Sequence, residues 1–256
     1  MIRKRLASAQ FRATATWTRA GWRRSVVLCL TASSLLLGLS WSAHAQAFTT
    51  FDVPGGVNGT DPSSINPSGA ITGFYLDAGL ANHGFLRTAD GTFTLFDAPD
   101  SLHTVPVSIN PAGAITGWYL DTNGVHGFLR DPDGAFTSFG AVGTFSAGIN
   151  PAGAITGSVS LQGFLRTPDG TLTTFDAPDA RQTFAEGINP KGAITGSYQD
   201  ASFVSHGFLR ALDGAFTSFD APSALDTFPK AINPVGTITG NYRDVNGVRR
   251  GFVRSR

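Results

Sequence analysis

The sequence predicts an all-β fold, a five-bladed β-propeller with four antiparallel strands per blade, the last blade closed by the N-terminal strand. Three observations predict it. The phrase INPxGxITG occurs five times, beginning at Ile65, Ile109, Ile149, Ile188 and Ile232, at intervals of 44, 40, 39 and 44 residues. Self-similarity at that period marks one supersecondary unit repeated. Turn chemistry cuts each unit into a meander, and the two ends of the chain carry complementary parts of one unit.

The first unit, Ser63 to Pro99, shows the division. Asn66-Pro67-Ser68-Gly69 has the residue order of a type I turn. A left-handed glycine at its end makes the three-residue hairpin loop with a bulge. Thr88-Ala89-Asp90-Gly91 has the same chemistry, Pro132 and Pro168 take the second turn position in other copies, and Asp121-Thr122-Asn123-Gly124 repeats the pattern once more. Four strands follow, at 61–66, 70–76, 83–88 and 92–97.

The turns imply a register, and the register returns like pairs. Ile65 falls opposite Ile71, and Ile opposite Ile in every copy down to Ile232 with Ile238. Gly84 falls opposite Phe96, where a ring can lie over bare backbone. His83 then meets Asp97, Gln162 meets Asp176 and His206 meets Asp220, while His126 meets Gly140. The last copy stops after Gly251-Phe252-Val253-Arg254 with no fourth strand, and the segment from Gln46 to Asp52 reads as a fourth strand with no preceding three. Pairing these ends sets Arg254 against Phe48, Gly251 against Phe51 and Arg250 against Asp52. It would hide two sheet edges at once, which a ring of blades needs and a linear solenoid does not.

Residues 1–45 read as a secretory signal peptide, with residues 46–256 as a single five-repeat domain. Seven basic residues from Arg3 to Arg24 precede an apolar run, Val26 to Leu39, and a small-x-small site, Ala43-His44-Ala45. That run is shorter than the ~20 residues needed to span a bilayer, so no membrane span is expected after cleavage. Arg23-Arg24 also allows the twin-arginine route. Cleavage would leave 12 lysines and arginines against all 18 acidic residues, a net charge near −6 where the whole chain has +1. An acidic surface repels phosphate backbones, so nucleic acid is not an expected partner. Cys29, the sole cysteine, falls in the leader, so no disulfide or thiolate chemistry is expected beyond it.

INPxGxITGxY, HGFLR, xxDGxFTxFDAP and the period of about 40 residues together resemble the bacterial extracellular repeats called the HAF family. The likeness covers residues 47–256. It implies export and transfers no chemistry to any position. The third copy departs from the pattern at Gly140 and through Gly157-Ser158-Val159-Ser160-Leu161-Gln162, so the third blade should be the irregular one.

Several residues invite chemical readings. A His–Asp pair can act as a general base, but His83, His126 and His206 recur at one repeat position, which favours a cross-strand structural pair. Arg87, Arg130, Arg166, Arg210 and Arg254 recur likewise, each with a stem that can cover apolar surface. Asp121-x-Asn123-Gly124 and Asp244-x-Asn246-Gly247 resemble pieces of calcium loops, yet supply too few oxygens and read as Asx turns. No metal site and no cofactor is expected.

The expected function is an exported, non-enzymatic binding or scaffold protein that presents variable loops on one face of the propeller. Its partner would be a glycan, a peptide or an envelope protein. The competing reading is a carbohydrate-active enzyme of glycoside-hydrolase type using loop carboxylates, with Glu186, the only glutamate beyond the leader, and Asp179 as its nearest non-repeating acid. In a meander the NPxG and DG turns share one end, and the links of variable content share the other, where binding usually resides. Trp118, His103, Arg181 and Asp226 are the candidate ligand-binding residues, since the repeat dictates none of them. Trp118 stands where other copies have Phe74, Ser158, Ser197 and Asn241, and could alternatively fill the gap between the first two blades.

Overall fold

The computed structural model describes residues 48–255; the expected signal peptide lies outside them. Their nineteen strands form five antiparallel sheets in sequence order. Strands β1 (Thr60–Ile65), β2 (Ile71–Leu76), β3 (Asn82–Arg87) and β4 (Phe93–Phe96) form the first. Strands β5 (His103–Ile109), β6 (Ile115–Asp121), β7 (Gly124–Arg130) and β8 (Phe136–Phe139) form the second. The third holds β9 (Thr144–Ile149), β10 (Ile155–Val159), β11 (Gln162–Arg166) and β12 (Leu172–Phe175). The fourth holds β13 (Gln182–Ile188), β14 (Ile194–Gln199), β15 (Ser205–Arg210) and β16 (Phe216–Phe219). The fifth has three strands, β17 (Ala224–Ile232), β18 (Ile238–Asp244) and β19 (Arg249–Arg254).

The turns behave as their residues require. Gly69, Gly113, Gly153, Gly192 and Gly236 all sit at φ between +81° and +93°, closing the NPxG loops in a conformation open to glycine. The register follows: Ile65 pairs with Ile71, Gly84 with Phe96, Gly163 with Phe175. The third sheet has the shortest middle strands, joined by a two-residue turn with both Ser160 and Leu161 left-handed.

One feature of the first strands escapes a period-two reading. All five carry a bulge, which leaves Ser63, Val107, Ala147, Glu186 and Lys230 as the extra residues. Pro62, Pro106 and Pro229 cannot donate to the ladder there. The facing glycine of ITG accommodates the kink, because a Cβ on Gly73 or Gly117 would strike the carbonyl oxygen of Asp61 or Val105.

Successive sheets pack face to face. Ile115, Phe128 and Ile109 of the second sheet bury against Leu86, Phe96 and Ala70 of the first, and the third and fourth sheets repeat the arrangement. First strands lie beside one another, β1 by β5, β5 by β9, β9 by β13 and β13 by β17, while fourth strands make no comparable contacts. The first strands therefore line the inner side of the stack.

Two devices fasten each joint. The first is a ladder of asparagines. Each NPxG asparagine accepts the backbone N–H four residues on, as at Ala70, Ala114 and Ala154. Its Nδ2 then donates to the next asparagine's carbonyl: Asn66 to Asn110, Asn110 to Asn150, Asn150 to Asn189, Asn189 to Asn233. The second is a guanidinium over a ring. Arg130, Arg166, Arg210 and Arg254 lie 4.7, 5.0, 4.8 and 4.6 Å from the rings of Phe96, Phe139, Phe175 and Phe219 in the preceding sheet. The recurring arginines thus do more than cover apolar surface with their stems, since each head also meets the π-face it faces.

The expected closure is not formed. No described residue pairs with the free edge of β19, and residues 48–53 form no strand. Arg250 bonds Asp244 instead of Asp52. Phe51 packs on the first sheet, 6.3 Å from Phe85 and 6.0 Å from Phe93, with Arg87 4.9 Å from its ring. The segment keeps the packing half of a fourth strand and not the pairing half. Each joint sets its own angle locally, and nothing in a repeat obliges five such angles to return the last sheet to the first.

The ladder supplies an internal control. Asn150 caps its turn and reaches the next sheet, whereas Asn233 caps its turn and is exposed. Asn150→Ala should cost at least about 1 kcal/mol more than Asn233→Ala in urea unfolding, the net worth of one hydrogen bond plus a share of the buried carbonyl it leaves. Equal costs would remove the ladder from the account.

Candidate functional site

Three of the five bulge residues, Val107, Ala147 and Glu186, line one cavity, as bulges commonly re-aim side chains. Around the third sheet this yields a cavity of about 270 Å³ lined by Val107, Trp118, Phe145, Ser146, Phe184 and Glu186, with Ala147, Ala185 and Ser158. Trp118 is half-buried and meets Phe145 edge-on at 5.7 Å, so it stands in the seam between the second and third sheets, not between the first and second. Ser146 is 3% exposed, and its hydroxyl has no hydrogen-bond partner within the protein. A buried hydroxyl left unpaired carries a desolvation penalty, and this one is closed off from the cavity by the atoms around it. Glu186 is fixed by Lys230, its neighbour in the bulge column, at 2.6 Å.

The other three candidates are engaged elsewhere. His103 accepts the N–H of Asn82 on its Nδ1 at 3.0 Å. Asp226, nearly buried, accepts the N–H of Ser205 at 3.0 Å and binds Arg243 through Nε at 2.8 Å. Asn82 and Ser205 are the same repeat position, so both side chains tie the entry of one sheet to the third strand of the sheet before it. Asp226 also lines a separate cavity with Phe228, Arg243, Gly247 and Arg249. Arg181 is exposed and lies 4.0 Å from the ring of Phe203. Trp118 is the one candidate in the inner cavity. Its neighbours Ser146 and Phe184 went unnoticed because the strand pattern alone does not show the bulge; the signal available was three prolines in five otherwise ladder-like first strands.

The histidines form cross-strand pairs with one addition. His83 Nδ1 lies 2.9 Å from Asp97 and Nε2 3.4 Å from Asp77; His206 repeats this with Asp220 and Asp200 at 3.0 and 3.6 Å. His126, facing Gly140, meets Asp121 at 3.3 Å. Each ring also lies 5.2 Å from a tyrosine of the second strand, Tyr75, Tyr119 or Tyr198. The loop aspartates are themselves turn-makers. Asp77, Asp121, Asp200 and Asp244 each accept backbone N–H groups two to four residues on, which is the Asx geometry. Among the described residues no group of three or more His, Cys, Asp or Glu side chains is placed to hold a metal ion.

No protein-family model matches the sequence, and no curated protein matches it. Solved structures do resemble the fold. TolB from Acinetobacter baumannii aligns with a TM-score of 0.55 at 15% identity, over 76% of this chain and 50% of TolB, so the chain spans about half of that relative's length. Virginiamycin B lyase from Staphylococcus aureus aligns with a TM-score of 0.48 at 17% identity, over 73% of this chain and 67% of the lyase. The TolB likeness, together with the serial antiparallel sheets, defines an all-β, β-propeller-like fold. At such identity it speaks for the fold alone.

The His–Asp pairs make stability depend on pH. Burial pulls His83 and His206 down, but Asp97 with Asp77, and Asp220 with Asp200, outweigh it and hold both imidazoles above their ordinary range. A folded value above the unfolded one means that protonation favours the fold. The contribution is full below about pH 6.5 and is lost as pH rises through the folded values. The melting temperature should fall over that window, and His83→Gln with His206→Gln together should flatten the fall. An identical profile in the double variant would refute the pairing.

Proposed function

We propose that this chain is an exported, non-enzymatic binding protein of the HAF-repeat type that holds a sugar ring of a glycan in the inner cavity beside Trp118. The cavity carries the reading: Trp118, Phe145 and Phe184 offer aromatic surface, and Ser158 and Glu186 bring polar groups to its wall. Aromatic rings with a few convergent polar groups are the usual make-up of a ligand site, and the volume lies near the lower end of such pockets, about 300 Å³. No helix of the described residues is long and apolar enough to cross a membrane, which accords with an exported protein and leaves its final compartment open.

The hydrolase reading is weaker on the same geometry. Glycoside hydrolysis takes two carboxylates across the scissile bond, and the residues lining this cavity bring one, already bonded to Lys230.

Trp118 is the only tryptophan after residue 45, so its fluorescence reports the site directly. Titration with a panel of oligosaccharides should shift that emission for a bound member. Trp118→Ala and Phe184→Ala should each weaken binding, read by calorimetry, by at least about fivefold, the ~1 kcal/mol of a contributing contact. Binding indifferent to both substitutions would sink the site. Turnover of a bound glycan that Glu186→Gln abolished at unchanged melting temperature would establish the enzyme instead.

A further inference from the structure

The two ends of the stack expose the two halves of a joint that the chain builds four times within itself. At the tail, β19 has a free edge. Its Gly251 occupies the position of Gly84, Gly127 and Gly207, whose bare backbone is covered by the rings of Phe96, Phe139 and Phe219. A Cβ on those three would fall 2.5, 2.8 and 2.8 Å from the covering ring; on Gly251 the nearest atom would be the Gly240 carbonyl oxygen at 3.9 Å. The seat is empty. The next-sheet face is bare as well: Val253 is 72% exposed and Thr239 and Asn233 are exposed, where Thr72, Thr116, Thr156 and Thr195 are fully buried.

At the head, residues 51–53 are placed as the end of a fourth strand. Val53 donates its N–H to Thr60 Oγ1, as Ala98, Ala177 and Ala221 do to Thr104, Thr183 and Thr227. Phe51 is already seated under Arg87 as Phe96 is under Arg130. Ile65, the counterpart of the buried Ile109 and Ile149, is 65% exposed.

We propose that β19 takes residues 48–52 of a second copy of this chain as its fourth strand, joining copies head to tail. Phe51 of the incoming copy fills the seat on Gly251, Asp52 faces Arg250, and Asn233 donates to the Asn66 carbonyl, continuing the ladder from one molecule into the next. The occupant follows from continuity, since this interface is the one already made between every pair of adjacent sheets. The chain's own head segment is docked on its own first sheet and does not pair with β19. Charge favours a head over a second tail, because the exposed Arg249 repels a second β19 edge, whereas Arg250 is already held by Asp244 at 2.6 Å. A heterologous contact of this kind propagates into a filament or closes into a ring of copies.

Sedimentation velocity of the protein purified from its native host, from nanomolar to submillimolar, should show species above the monomer that grow with concentration. Phe51→Ala removes a head and Gly251→Val removes a tail, so each alone should sediment as monomer. Mixed in equal amounts, they should form one dimer and nothing larger, using the sound tail of the first and the sound head of the second. Because a Cβ at Gly251 would meet, among the described residues, only the Gly240 carbonyl oxygen at an ordinary 3.9 Å, Gly251→Val should leave the circular dichroism and melting temperature unchanged. That variant alone therefore carries the test if Phe51→Ala does not fold. A wild type that is monomeric at every concentration overturns the proposal, as does association undiminished by Gly251→Val. So does a mixture of two folded variants that stays monomeric.

Discussion

Everything in this structure depends on the joint between one sheet and the next. A meander of four short strands has two faces and cannot bury either alone; three or more strands need a packed face to be stable. Here each sheet offers one face to the sheet before it and the other to the sheet after. The largest fully buried side chains, Phe85, Phe128, Phe164 and Phe208, recur once in each of the first four sheets at the same third-strand position. Around that apolar contact the polar fastenings are directional. The asparagine carbonyl accepts from one side and its amide donates to the other, so the ladder can be extended only one residue type at a time and only in one sense.

That division explains what could be read from the sequence. Strand limits fell within a residue of those observed, because NPxG and DG turns dictate local dihedrals and a turn sets register over the whole hairpin. Ile65 with Ile71 and Gly84 with Phe96 are consequences of turn length alone. The relation between sheets is of another kind. It sums small rotations over many side chains, and closure of the ring by Phe48–Asp52 required that sum to take one value. The complementarity of the ends was legible; which molecule satisfies it was not. Likewise the recurring arginines are visible as a pattern, but their rings lie in the preceding repeat, 27 to 35 residues away in the chain, and no local periodicity links them.

The candidate site was legible only in part, for the same reason. Trp118 stands out because it breaks the repeat. Ser146, Phe145 and Phe184 do not stand out, since first strands vary in every copy and a period-two reading scatters their side chains over both faces. The bulge collects them. It takes one extra residue per sheet out of the ladder, in the most variable column of the repeat, and brings Val107, Ala147 and Glu186 of that column to one cavity. Variation is tolerated there because the bulged residue leaves the ladder, so its identity costs the fold little. The His–Asp–Tyr clusters show the opposite case. They were conspicuous by type, yet each sits at the loop end of the second and third strands, where it holds an Asx turn against the sheet.

The free edges separate the structural from the adhesive. β4, β8, β12 and β16 are edge strands too, but each is four residues long and has its two terminal apolar residues half-buried while the two residues between them are exposed. Short edges of this kind are poor templates for another strand. β19 is six residues long, carries a glycine with nothing over it, and presents the face that in every other sheet is covered by a fourth strand. Shortening protects the fourth-strand edge of four of the sheets, and bulges interrupt their first-strand edges; β19 has neither protection, and the charge of Arg249 disfavours its own copy while leaving the head segment admissible. An edge that rejects one partner and fits another behaves as a specific interface, which is how this edge differs from the merely unfinished end of a repeat array.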